Sequence, residues 1–244
     1  VKGHRTVAFS LTVPNEESAG DVVKVAWVAG WGINPDDLQA RVVAAFPTLE
    51  HEVALPGRIE PSWPRRFSVV VGWSWGAFRL LEWAISQCDE FPATPGADSP
   101  RVLLIAPFTA FCSEAGHGGR CARTQVKWLR RWLKRDPAGA LVDFYERAGL
   151  TQGGGKGSWV APGPHSPHLA FWEQELKTME SARLDLPGDF FPLASKGIQS
   201  WIGLEDSLFD ASLIASNLGA HPVPGTSHNI SDFFSFLTKE LALP

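Results

Sequence analysis

The chain has 244 residues, a net charge of −4 and 44% hydrophobic residues, which fits one compact domain with a sizeable core and argues against disorder. The mild negative charge argues against a nucleic-acid binder. No apolar run reaches the roughly 18–20 residues of a membrane span, and residues 1–5 do not read as a signal peptide.

Cys88, Cys112 and Cys121 are odd in number and lack zinc-site spacing, so a reduced, cytoplasmic setting is expected. Eleven Trp stand against one Tyr, and core packing is expected for most of them.

In chain order, residues 6–13 read as an opening strand. Residues 22–29 form a β-branched run that ends in Gly30-Trp31-Gly32. Leu38, Val42, Val43 and Phe46 give 35–46 helical spacing, and a short strand at 52–55 stops at Pro56-Gly57. A buried-type strand at 68–71 breaks at Gly72, a helix is expected over 76–88, and another strand runs over 101–106. This alternation predicts a mostly parallel sheet covered on both faces.

The pattern then changes. Residues 107–193 show no convincing strand, but helical stretches at 120–134, 138–148 and 171–179. Gly153-Gly154-Gly155 and the Pro-rich stretch 162–167 separate them. They read as a helical insertion, the alternative being longer helices of the main layer. Alternation resumes with a strand at 197–203, a helix at 209–218, a strand at 221–223 and a closing helix at 230–241.

Gly72-Trp73-Ser74-Trp75-Gly76 places Gly-x-Ser-x-Gly at a strand-to-helix junction. A sharp turn there would expose the Ser74 hydroxyl beside a helix N-terminus, where developing negative charge is favoured. The bland alternative is a helix-capping serine. This context predicts the α/β-hydrolase fold, with residues 1–106 and 196–244 as core and 107–195 as a helical lid.

A serine nucleophile needs a base, and the base needs an orienting acid. In this fold the chain order is Ser, acid, His. His228 precedes the final helix and is the expected base, with His221 as rival. Asp206 follows strand 197–203 and is the expected acid, with Glu205 and Asp210 as competitors. The backbone N–H groups of Trp75 and Trp31 are the expected oxyanion donors. No metal or organic cofactor is needed.

Ala29-Gly30-Trp31-Gly32, Leu55-Pro56-Gly57 and Gly72-Trp73-Ser74-Trp75-Gly76 together resemble the carboxylesterases of biotin synthesis that demethylate pimeloyl-acyl-carrier-protein methyl ester. That family typically shows His-Gly-Trp-Gly, Leu-Pro-Gly-Phe-Gly and Gly-Trp-Ser-Leu-Gly. Here Ala29 stands in place of the His, and Arg58-Ile59 in place of Phe-Gly. The resemblance covers the sheet portion and is weak in the insertion. It implies an acyl-carrier-protein ester as substrate and an acidic partner.

Arg120, Arg123, Lys127, Arg130, Arg131, Lys134 and Arg135 occur without an intervening acid. At about 100° per residue they span an arc of roughly 140°. Val126, Trp128, Leu129, Trp132 and Leu133 fall on the other face and are expected to pack inward. Like charges at i,i+4 repel by a few tenths of a kcal/mol per pair, which gives a reason to expect an anionic partner at Arg123, Lys127, Arg130, Arg131 and Lys134. A general short-chain carboxylesterase and a non-catalytic relative that binds an acidic partner are the alternatives. A monomer is expected.

Overall fold

The computed structural model describes residues 23–87, 100–151, 158–186, 193 and 197–241. The expected strand at 6–13, Cys88 and Gly153-Gly154-Gly155 lie outside these residues.

Among the described residues, six parallel strands form one sheet: β1 (Lys24–Val28), β2 (Glu50–Ala54), β3 (Val69–Trp73), β4 (Arg101–Ile105), β5 (Ile198–Gly203) and β6 (His221–Val223). Their order is β2-β1-β3-β4-β5-β6, and every pairing is parallel. β3 lies inside the sheet and is buried along its whole length. Its Val-Val-Val run suits a strand covered on both faces.

The helices of this layer are α1 (Pro35–Ala45) and α2 (Trp75–Ser86). Asn34 caps α1 by accepting from the Asp36 N–H, and Pro35 occupies its first turn. α2 packs against β3 and buries Phe78, Leu80, Leu81 and Trp83.

Among the described residues, three helices lie between β4 and β5 in sequence: α3 (Arg123–Arg135), α4 (Pro137–Arg147) and α5 (Leu169–Met179). α3 packs against both α4 and α5. Asp136 separates α3 from α4, capping α4 by accepting from Gly139 N–H at 3.0 Å. In this stretch the described residues contain isolated β-bridges but no strand.

α6 (Ala211–Leu218) starts at the cap Asp210 and ends at Gly219 in the left-handed region. The closing segment is one 3₁₀ turn, Ile230–Phe233, before α7 (Phe234–Leu241), rather than a single helix. Asn229 sets that start by accepting from Ser231 N–H at 3.0 Å.

All the Trp residues except Trp128 and Trp132 are buried. No helix among the described residues is long and apolar enough to cross a membrane.

Candidate active site

β3 passes into α2 through Ser74, whose φ of 55° and ψ of −116° are unusual for a residue with a side chain. The turn is held from both sides. Ser74 N–H donates to Ile105 O at 2.8 Å, and Ser74 O accepts from Phe78 N–H at 3.0 Å. The flanking glycines are demanded by contact. A Cβ at Gly76 would stand 2.2 Å from Val28 O, and one at Gly72 would stand 2.8 Å from Ala77 Cα. Ser74 makes no side-chain bond to cap α2. Its Oγ instead lies 2.9 Å from His228 Nε2.

His228 sits in the loop between β6 and the 3₁₀ turn. Trp73 fixes this loop by donating its indole N–H to His228 O at 2.9 Å. His228 Nδ1 lies 2.8 Å from Asp206 Oδ2. A carboxylate only accepts, so Nδ1 carries the proton and Nε2 is free to accept from the Ser74 hydroxyl. Asp206, in the turn after β5, accepts from the N–H groups of Leu208 and Phe209 with its other oxygen. Ser74 is 5% exposed, and His228 and Asp206 are each 2% exposed.

The rivals lie elsewhere. Glu205 and His221 are exposed. Asp210 caps α6 by accepting from Leu213 N–H at 3.0 Å.

The loop 30–32 borders Ser74, since a Cβ at Gly30 would stand 3.5 Å from Ser74 Cβ. Neither Trp31 N–H nor Trp75 N–H has an acceptor among the described residues. α4 supports this loop. Phe144 meets the Trp31 ring edge-on at 4.7 Å, and Tyr145 Oη donates to Gly32 O at 2.8 Å. Burial pushes the Tyr145 hydroxyl pKa up, so it remains a donor.

A cavity of about 210 Å³ lies among α3, α4, α5 and residues 207–208. Phe111, Val126, Leu129, Phe144, Leu176 and Leu208 make it largely apolar, and Arg120, Arg147 and Cys121 also line it. Phe144 lines the cavity and touches Trp31, so one side-chain layer separates the cavity from the loop 30–32. Burial pushes the Cys121 thiol up to about 11, so it is not a reactive thiolate at neutral pH.

The basic stripe differs from expectation. α3 begins at Arg123, which leaves Arg120 before the helix, donating to Asp206 O at 2.9 Å. Glu180 lies 3.3 Å from both Lys127 and Arg130, and Glu173 lies 2.7 Å from Lys134. The helix lacks acids of its own, but α5 and the residue after it supply them across the packing interface. Repulsion along α3 is therefore relieved within the chain, and Arg123 and Arg131 remain exposed. Trp128 is 46% exposed and packs on Trp132 instead of turning fully inward. On the helical projection it borders the charged arc, so the core side does not reach it.

Glu175 was not singled out from the sequence. It is 5% exposed and accepts from the Trp75 indole N–H. The available signal was an acid in the apolar stripe Trp172, Leu176, Met179, where helical spacing leaves no solvent.

No protein-family model matches the chain, and no curated protein matches it. Solved structures do. The chain is similar to an esterase from Exiguobacterium antarcticum, with a TM-score of 0.66 and 14% identity over 89% of this chain and 91% of that one. It is similar to a hydrolase from Pseudomonas aeruginosa, with a TM-score of 0.54 and 13% identity over 93% of this chain and 92% of that one. A deformylase from Pseudomonas putida aligns with a TM-score of 0.50 and 11% identity over 90% of this chain and 92% of that one. With the parallel sheet and the strained serine turn after β3, these likenesses identify the chain's architecture as the α/β-hydrolase fold.

Proposed function

We propose that this chain is a serine hydrolase of carboxylic esters, with Ser74 as nucleophile, His228 as base and Asp206 as the orienting acid. The observation that carries the reading is the buried line from Ser74 Oγ through His228 to Asp206, 2.9 and 2.8 Å long, at a strained turn.

Ser74 Oγ attacks the ester carbonyl while His228 Nε2 takes its proton. Asp206 stabilises the imidazolium and keeps its tautomer. The carbonyl oxygen becomes an oxyanion between the N–H groups of Trp31 and Trp75. His228 returns the proton to the departing alcohol. Water, deprotonated by His228, then cleaves the acyl-enzyme and releases the acid. Residues 107–195 would act as the lid, and the apolar cavity among their helices would receive a short acyl chain.

The preferred substrate is pimeloyl-acyl-carrier-protein methyl ester, which implies a cytoplasmic setting. This rests on the motif resemblance and on α3. Lys127, Arg130 and Lys134 have carboxylate neighbours and Glu114 sits against Arg123, so Arg131 would meet an acidic carrier first. The deciding experiment measures methanol release from that ester beside hydrolysis of p-nitrophenyl acetate and butyrate, with Ser74→Ala as control. Ser74-dependent preference for the carrier-bound ester supports the full reading. Activity on simple esters alone keeps the triad and removes the carrier. No activity on any of them would leave a binding protein.

A further inference from the structure

α5 reaches three separate segments of the sheet domain. The Trp31 indole N–H donates to Trp172 O at 2.8 Å. The Trp75 indole N–H donates to the Glu175 carboxylate. The loop at Gly57 presses on the same helix, where an added Cβ would stand 3.0 Å from Glu175 Oε1 and 2.7 Å from the Phe171 ring. Trp172 and Glu175 are three residues apart, so they share one face of α5.

The two tryptophans held in this way are the two whose backbone N–H groups would form the oxyanion site. Such a site works only if both donors aim at one point. Trp31 lies in the loop after β1 and Trp75 opens α2; the pairing of β1 with β3 and the packing of Gly30 on Ser74 bring the two backbones together from the sheet side. α5 adds a tie from the opposite side, because each indole that it holds belongs to the residue that carries the donor. Packing alone does not account for Glu175. A buried carboxylate is costly beside an apolar residue of similar size unless it accepts hydrogen bonds. The Trp75 ring is already stacked on Phe78 at 4.5 Å, so the carboxylate adds direction to a ring that packing holds in place.

We propose that Glu175 is a positioning residue for the oxyanion site, setting the Trp75 donor against the Trp31 donor that the same helix holds through Trp172 O. This rests on the serine-hydrolase reading above.

The test compares Glu175→Leu and Glu175→Gln with wild type in kcat and KM on p-nitrophenyl butyrate. It also measures affinity for an alkyl trifluoromethyl ketone. That ketone forms a Ser74 Oγ–carbon bond, its carbonyl electron pair moves to oxygen as an oxyanion, and the Ser74 proton passes to His228. Glu175→Leu should lower kcat about 10- to 100-fold with KM changed less than about threefold, since loss of a whole donor costs about 10²–10³. Ketone affinity should fall in parallel, and Glu175→Gln should recover most of both because its amide oxygen still accepts.

A folded Glu175→Leu protein with wild-type kcat and ketone affinity overturns the proposal. So does Glu175→Gln failing as badly as Glu175→Leu. If Glu175→Leu does not fold, Trp75→Phe keeps an aromatic side chain, though a smaller one, removes the indole N–H and carries the same expectation. Failure of the underlying reading looks different: the wild type itself would neither turn over the ester nor bind the ketone through Ser74.

Discussion

Asp206 meets His228 with one carboxylate oxygen, Oδ2 to Nδ1 at 2.8 Å, while its other oxygen accepts from the N–H groups of Leu208 and Phe209. Both oxygens therefore face donors, and the residue is 2% exposed. An amide cannot satisfy this arrangement. In either orientation of Asp206→Asn, its NH₂ points at a donor. We expect kcat/KM for p-nitrophenyl butyrate to fall on the order of 10³- to 10⁴-fold, with stability lower by about 1–3 kcal/mol. Esterase assay and urea denaturation of the same preparation check both. A variant within tenfold of wild type would remove Asp206 from the triad.

The turn at Ser74 depends on the absence of a side chain at Gly76, where a Cβ would stand 2.2 Å from a strand carbonyl. Backbone cannot yield as a side-chain tip does. Gly76→Ala should cost about 1–3 kcal/mol or more by overpacking and abolish activity through the displaced Ser74. Thermal denaturation followed by circular dichroism measures the first effect. An unchanged Tm would mean that α2 and β1 are farther apart than described.

Arg131 separates a partner surface from internal ion pairing. It is exposed, whereas Arg130 lies 3.3 Å from Glu180. Arg131→Glu should change stability by less than about 0.5 kcal/mol. If an acidic carrier docks on α3, the same change should weaken its binding at low salt, and added salt should shrink the difference. Titration calorimetry at two ionic strengths reads this. Equal binding by wild type and Arg131→Glu would count against a carrier on this face.

Alkaline pH should destabilise the protein through Cys121 and Tyr145. Burial raises both, Cys121 from 9.0 to about 11 and Tyr145 above its usual value of 10. The unfolded chain releases these protons first, so it binds fewer protons than the folded chain in that range. Stability is thus full below about pH 9 and falls as pH rises through 9–11 for Cys121, and above 10 for Tyr145. Tm measured from pH 8 to 11 should decline less steeply in Cys121→Ser. Tyr145→Phe should flatten the upper part of the curve while losing about 0.5–1.5 kcal/mol at neutral pH with the bond to Gly32 O. An identical slope in Cys121→Ser would show that its thiol is not raised in the folded chain.

The amino-acid sequence by itself determined what is local. β-branched runs and Gly/Pro breaks placed the six strands within about two residues, because strand and turn preferences act over a few neighbours. Gly-x-Ser-x-Gly between a strand and a helix offered Ser74 as a candidate nucleophile, and chain order offered Asp206 and His228 as its candidate partners. Only the tertiary structure decided matters that depend on distant partners. It separated Asp206 from Glu205 and Asp210, since burial and the 2.8 Å contact to His228 arise from the meeting of two loops. It supplied Glu173 and Glu180 to a helix that looked uncompensated, because charges cancel through space and not along the chain. It placed Glu175 against Trp75 from a helix nearly a hundred residues later, and no spacing rule couples residues so far apart in sequence.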